Sequence, residues 1–320
     1  MEGSQCPRLL DSLITINVAL IPAKGSVNIY SKMDYVPGPI TGTVPAMGWT
    51  LYLAHHRNRP PDGPPDGILT EVNFLLTDVR SAMKGLFFPQ EQGCPICGRR
   101  GSQRHICQIC LEEWAELADG FLPCAKCGRF KKAEAGETTC QECRENEPPY
   151  AIARCVAPYD GSLRDALHSF KFSGRRELAY PLGELIASLV ASLFPYRFLA
   201  AVIPVPLHEN RLQERGFNQA LLLAEVVNRM LRIPLVPNAL IRSRETHSQT
   251  SLSREQRHSN LKGAFEAGED ALPLQGKAVL LADDVYTTGA TVQECSKALI
   301  NAGVKEIYVA ALAAGILTSP

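Results

Sequence analysis

The sequence predicts an α/β protein built on a parallel sheet. A small cysteine-rich metal module precedes the sheet, and a disordered N-terminal extension comes before that. Three observations carry this expectation. Apolar segments of strand length alternate with helical patterns over the second half of the 320-residue chain. Eight of the eleven cysteines stand as four CxxC pairs within fifty residues. The first seventy residues are rich in Pro, Gly and Thr and end in Arg59-Pro60-Pro61-Asp62-Gly63-Pro64-Pro65-Asp66-Gly67. Such a run has little apolar surface to offset its ordering entropy. The expected organisation is therefore an extension over 1–70, a short helix and the cysteine module over 71–148, and the α/β domain over 149–320.

Each element has its own signal. Val72, Leu75, Leu76, Val79 and Met83 recur at helical spacing. Glu147-Pro148-Pro149 reads as a hinge. Ala200 to Val205, Ala278 to Ala282 and Glu306 to Leu312 read as strands. Asn218 to Leu231 and Thr288 to Ala302 read as helices, the second closed by Gly303. Continuously apolar strands separated by helices imply a parallel sheet covered on both faces. Ligands of such sheets bind beyond the carboxyl ends of the strands, which directs attention to the loops after Val205 and Ala282.

Composition narrows the classes. With 33 basic and 33 acidic side chains the formal net charge is zero, which excludes a globally basic nucleic-acid binder but not a local basic patch. The longest apolar run, Ile307 to Leu317, has eleven residues, short of the ~18 needed to cross a bilayer, so no membrane span is expected. Leu9 to Ile21 is apolar, but Glu2 precedes it and no A-x-A site follows, so it does not read as a signal peptide and a cytoplasmic location is expected.

A CxxC turn aims two thiolates at one point, and two such knuckles complete the S4 shell that Zn2+ accepts. Cys94, Cys97, Cys107 and Cys110 form one candidate site, and Cys124, Cys127, Cys140 and Cys143 the other. Two structural zinc ions paired in sequence are expected, although the spacing also admits an interleaved pairing. A disulfide framework or a redox CxxC is disfavoured by four evenly patterned pairs without a secretory signal. Residues 89–148 hold eight basic and ten acidic side chains, a poor composition for contacting phosphates. Bracing the fold is therefore the expected role of this module. Cys155 and Cys295 read as core residues.

The sharpest motif is Val279-Leu280-Leu281-Ala282-Asp283-Asp284-Val285-Tyr286-Thr287-Thr288-Gly289-Ala290-Thr291. A buried strand ends in two carboxylates, and a short Thr- and Gly-rich loop opens a helix. Loop amides and the positive helix terminus suit a phosphate, aided by the hydroxyls of Thr287, Thr288 and Thr291. Gly289 lets the backbone approach the anion. Adjacent carboxylates can accept hydrogen bonds from two ribose hydroxyls or act through Mg2+. A phosphatase or response-regulator type Asp pocket competes, but the threonine-glycine run fits it less well.

These thirteen residues resemble the phosphoribosyl-diphosphate (PRPP) signature of type I phosphoribosyltransferases. Ile203-Pro204-Val205-Pro206-Leu207-His208, Arg211 and Arg215-Gly216-Phe217-Asn218-Gln219 narrow the resemblance to the ComF family of competence-associated proteins. So do Arg244, Thr246, Gln249, Leu252-Ser253-Arg254, Arg257, Asn260 and Gly263-Ala264-Phe265, together with Phe170-Lys171-Phe172 and Gly174. The resemblance covers roughly residues 86–313. It implies a type I phosphoribosyltransferase-like domain preceded by a double zinc ribbon, with PRPP as ligand and Zn2+ and Mg2+ as metals. In this reading Asp283 and Asp284 hold the ribose hydroxyls, and Thr287, Thr288, Gly289, Ala290 and Thr291 hold the 5′-phosphate. Arg211 and Arg215 face the pyrophosphate, and Lys171 contacts the diphosphate or the acceptor.

Residues 242–262 carry five basic and two acidic side chains among Ser, Thr and Gln, a pattern suited to a polar lid. The acceptor hood is expected from residues 150–180. Two functions remain open at this level. One is a Mg2+-dependent phosphoribosyltransferase. The other is a binding protein that senses PRPP or a nucleotide, or handles single-stranded DNA beside competence and DNA-processing partners.

Overall fold

The computed structural model describes residues 93–100, 105–132, 137–244 and 260–317. The expected helix of residues 72–83, the N-terminal extension and the middle of the polar lid lie outside them.

Two cysteine hairpins come first, and they repeat one local design. The Cys94 amide donates to the Arg99 carbonyl and the Gly98 amide to the Cys94 carbonyl; Cys124 with Arg129, and Gly128 with Cys124, do the same. Gly98 and Gly128 hold φ of 74° and 69°, a left-handed turn that glycine adopts without Cβ strain. Each hairpin then closes on a short helix whose N-cap is a cysteine. Cys107 caps α1 (Gln108–Glu116) and Cys140 caps α2 (Gln141–Glu145). Strands β1 (Phe121–Pro123) and β2 (Phe130–Lys132) form an antiparallel pair within the second hairpin.

The central sheet contains β3 (Ile152–Pro158), β4 (Leu199–Pro204), β7 (Ala278–Tyr286) and β8 (Glu306–Ala314), all parallel, in the order β3-β8-β7-β4. A second, two-stranded pair joins β5 (Leu240–Arg242) to β6 (Phe265–Ala267). The helices are α3 (Gly161–Phe172), α4 (Ala179–Leu193), α5 (Glu209–Arg215), α6 (Gln219–Leu231) and α7 (Ala290–Asn301).

Alternation along β7 supplies two cores. Val279 and Leu281 pack on one face with Cys295 and Leu299 of α7. Leu280 and Ala282 pack on the other with Leu167, Leu182 and Leu223 of α3, α4 and α6. On this second face Gly183 of α4 lies so close to α6 that a Cβ there would sit 2.6 Å from the Val226 side chain. Cys155 and Cys295 are core residues, as expected.

Three expectations are corrected. β7 does not stop at Ala282 but continues through both carboxylates to Tyr286, because β8 keeps offering paired backbone as far as Ala314. Residues 150–180 are not all hood: Ile152–Pro158 is an edge strand, disguised by Arg154 and Pro158 within its apolar run. The last helix begins at Ala290 rather than Thr288, because Gly289 at φ 82° cannot belong to a right-handed helix.

The cysteine module is continuous with the sheet. β2 pairs in parallel with β9 (Ile316–Leu317), which follows β8 after Gly315. The Ala153 amide donates to the Lys126 carbonyl, and Lys126 reaches Glu147 at 2.8 Å beside Pro148 and Pro149.

Candidate functional site

The eight sulfurs fall into two groups of four in sequential pairing, with the ligand atoms of each group within 4.8 Å of one another. In the first, Cys94–Cys110 and Cys97–Cys107 are 3.9 and 3.6 Å apart; in the second, Cys127–Cys140 is 3.8 Å. Four sulfurs at about 2.3 Å from a tetrahedral zinc have edges of about 3.8 Å, whereas a disulfide needs about 2.05 Å. The residues therefore fit zinc, and all ten described cysteines are free. The groups differ in exposure. Cys97 is exposed and Cys107 half-buried, whereas all four sulfurs of the second group are buried.

Each group is tied to a different part of the sheet domain. At the first, Glu113 of α1 accepts from the Ser162 amide and hydroxyl at 3.0 and 2.9 Å, and the Trp114 indole donates to the same hydroxyl at 2.8 Å. Arg175 donates to the Pro95 carbonyl and His105 meets Glu184. These contacts hold α3 and α4. At the second, buried Arg129 donates to Cys127 and Cys140 and pairs with Glu142. Burial lowers the pKa of its guanidinium, but Cys127, Tyr286 and Cys140 together outweigh that and hold it above the ordinary value.

At the carboxyl end of β7 four of the expected site residues, Lys171, Arg211, Arg215 and Asp284, come together from α3, α5 and β7. Lys171, in the last turn of α3, pairs with Asp284 at 2.9 Å. Arg215, at the end of α5, donates to Gln219 of α6 at 3.0 Å, and its guanidinium lies 5.0 Å over the ring of exposed Phe172. Burial lowers the Arg215 pKa, the Asp284 carboxylate opposes that shift, and Arg211 reinforces it. Asp284, Lys171, Arg215 and Arg211 therefore share one electrostatic neighbourhood.

Asp283 has different surroundings. The Asp284 amide donates to it at 2.8 Å. Burial, then repulsion from Asp284, push its carboxyl up to about 8, opposed by Lys171. Asp283 also acts on Cys155, Cys295 and Arg242, placing it among the residues of the α7 face. The two adjacent carboxylates are thus unequal: one is held as an ion pair, the other favours its neutral form.

After Tyr286 the chain turns through Thr287, Thr288 and Gly289 into α7. Gly289 is the N-cap and supplies no side-chain acceptor, while the Thr288 hydroxyl accepts from the Ala290 amide at 3.4 Å. Ala290, Thr291 and Val292 form the first turn of α7, where N–H groups lack intrahelical acceptors. The turn thus brings hydroxyl-bearing residues to the N-terminus of a helix, the parts from which an anion site can be built.

Sequence reasoning gave no role to Tyr150, Tyr286 and Arg129, and it placed Arg242 in the lid. Arg242 instead closes β5 opposite Phe265, with its guanidinium 5.4 Å over that ring. Tyr286 belonged to the quoted motif, but only the fold brings Tyr150 to it. Among the described residues no helix is long and apolar enough to cross a membrane.

Comparison with known proteins agrees with this fold. Residues 218–317 match the family described as the phosphoribosyl transferase domain. DNA utilization protein YhgH of Escherichia coli (strain K12) is 35% identical over 209 residues, spanning 64% of this chain and 88% of that protein. Competence protein F of Haemophilus influenzae is 34% identical over 211 residues, 65% of this chain and 90% of its own. Competence protein ComFC of Bacillus subtilis (strain 168) is 28% identical over 211 residues, 66% and 72% respectively. With two four-cysteine groups, a transferase-type domain and relatives matched over nearly their whole length, the chain belongs to the ComF family.

Proposed function

We propose that the chain is a Mg2+-dependent phosphoribosyltransferase that binds PRPP and serves the use or uptake of DNA. The carrying observation is the convergence of Lys171 and Arg215 on Asp284, immediately before a Thr-Thr-Gly turn that opens α7. The names of the relatives, DNA utilization protein and competence protein, support the process.

In this reading the turn from Thr287 to Thr291 takes the 5′-phosphate, with Thr288 exchanging its Ala290 amide contact for the anion. Asp283 and Asp284 take the ribose hydroxyls. Lys171 and Arg215 take diphosphate oxygens, so ligand entry replaces the Lys171–Asp284 pair by two contacts of the same charge type. In the transfer, the bond from ribose C1 to the diphosphate oxygen breaks and an acceptor lone pair forms the new bond at C1. Diphosphate leaves with the electron pair. Arg211, Arg215 and Lys171 stabilise that departing charge from fixed positions. Asp283 and Asp284 are the residues that would hold Mg2+, and the ion when bound would supply further neutralisation of the leaving group. The two cysteine groups would each hold one structural zinc, with thiolate ligands.

Pyrophosphate release tests the reading. The zinc-loaded protein is given PRPP, Mg2+ and candidate acceptors beside an Asp283→Asn/Asp284→Asn variant. Acceptor-dependent release, lost in the variant, is expected. Tight PRPP binding without turnover for any acceptor points instead to a sensor.

A further inference from the structure

The second cysteine group, ending at Cys143, and the turn beginning at Thr287 are 144 positions apart in the chain but meet in one buried cluster. The Tyr150 and Tyr286 hydroxyls share a hydrogen bond of 2.6 Å, and Tyr286 is 1% exposed. Tyr150 and Tyr286 belong to the same buried cluster as Cys124, Cys127, Cys140 and Cys143. Arg129, which donates to Cys127 and Cys140, also feels Tyr286. At its other side the Tyr286 ring closes on the anion turn. A Cβ on Gly289 would overlap the Tyr286 hydroxyl oxygen and lie 2.6 Å from the ring carbon that bears it. The backbone repeats the connection: β2 pairs with β9, the Phe130 amide donates to Gly315, and the Gly315 amide donates to the Tyr286 carbonyl. Gly315 also packs on the Thr287 backbone. Residues packed this tightly transmit small displacements, because cores do not deform continuously.

We infer that Tyr286 is a positioning residue, which holds the Gly289 turn in its anion-binding shape only while the second cysteine group is closed around its metal. Zinc at Cys124, Cys127, Cys140 and Cys143 and the phosphate at the turn then bind with positive coupling, whereas zinc at the first group does not share it. This rests on the reading of the turn as the site of the PRPP 5′-phosphate.

Linkage makes the coupling measurable from the metal side without any turnover. The full-length protein loaded with two zinc ions is titrated with a competing chelator, with and without PRPP and Mg2+, while calorimetry follows PRPP binding. The expected result is a tightening of one zinc equivalent by about fivefold or more, and no change in the other. Tyr286→Phe and Tyr150→Phe, which each keep the ring and remove the shared hydrogen bond, reduce the effect to less than about twofold. Glu113→Gln, at the tether of the first group, leaves it intact. PRPP binding that alters neither zinc equivalent overturns the coupling alone. Absence of PRPP binding overturns the site reading and the coupling with it. Protection that survives both tyrosine variants removes Tyr286 from the role.

Discussion

Lys171 and Asp284 form an ion pair at 2.9 Å with only 17% and 11% of their side chains exposed, linking the end of α3 to the end of β7. A pair so far withdrawn from water is costly to break from one side, because the remaining charge stays buried. Lys171→Met is expected to lower stability by about 1–3 kcal/mol and to weaken PRPP binding at least tenfold. Urea unfolding and calorimetry read the two effects. Lys171→Arg keeps the charge and recovers part of both.

Asp283 gives the protein a pH dependence of definite sign. Its carboxyl is pushed up to about 8 in the folded chain, mainly by burial, whereas an unfolded aspartate titrates near about 3.9. Between these values the folded state holds a proton that the unfolded state has released. The stability contribution is therefore complete below about pH 4 and is lost as pH rises through about 8. Asp283→Asn removes the penalty. Its melting temperature should exceed that of the parent at about pH 8.5, with the difference shrinking as pH falls from about 8 and vanishing toward about pH 4 in thermal scans.

Gly289→Ala combines two penalties, a φ of 82° and overlap with Tyr286. Gly216→Ala carries the φ strain at 72°, and its Cβ would meet only the Arg176 guanidinium at 3.1 Å, a group held on the Gly216 carbonyl and over the Phe217 ring. The first change should cost about 2–4 kcal/mol and the second about 1 kcal/mol. Only the first should abolish PRPP binding. Denaturant midpoints compared with ligand titrations separate the two contributions.

Chelation should strip the metals in order. The first group exposes Cys97, whereas the second is buried throughout and screened by Arg129. With excess chelator, zinc release should be biphasic, one equivalent leaving at least about tenfold faster, in line with a difference of about 1.4 kcal/mol in access. Cys97→Ser should remove the fast phase and leave the slow one unchanged.

Much of this arrangement is legible in the sequence, for identifiable reasons. CxxC spacing fixes where thiols point regardless of context, so the two metal groups and their sequential pairing follow from it, and the fold excludes the interleaved alternative. Apolar runs such as Ala278 to Ala282 mark strands covered on both faces. What escaped depends on partners far away in the chain. β7 continues through Asp283 and Asp284 because β8 lies beside it, and the carboxylates themselves suggest a loop. Ile152–Pro158 is a strand because β8 offers it an edge, while Arg154 hides the pattern. The hydrogen bond between Tyr150 and Tyr286 spans 136 positions and leaves no local trace.

The pairing of β2 with β9 bears on how the chain acquires its structure. The second cysteine hairpin is synthesised early, yet the strand that completes its sheet emerges some 184 residues later. Folding from the N-terminus as synthesis proceeds would leave β2 as an open edge until β9 arrives, and bare edges recruit other chains. Cutting the chain at residue 149 to express the sheet portion by itself would leave β9 in the same condition. A fragment begun there is expected to aggregate, whereas one begun near residue 92 retains the native partner of every strand in the described portion of the molecule.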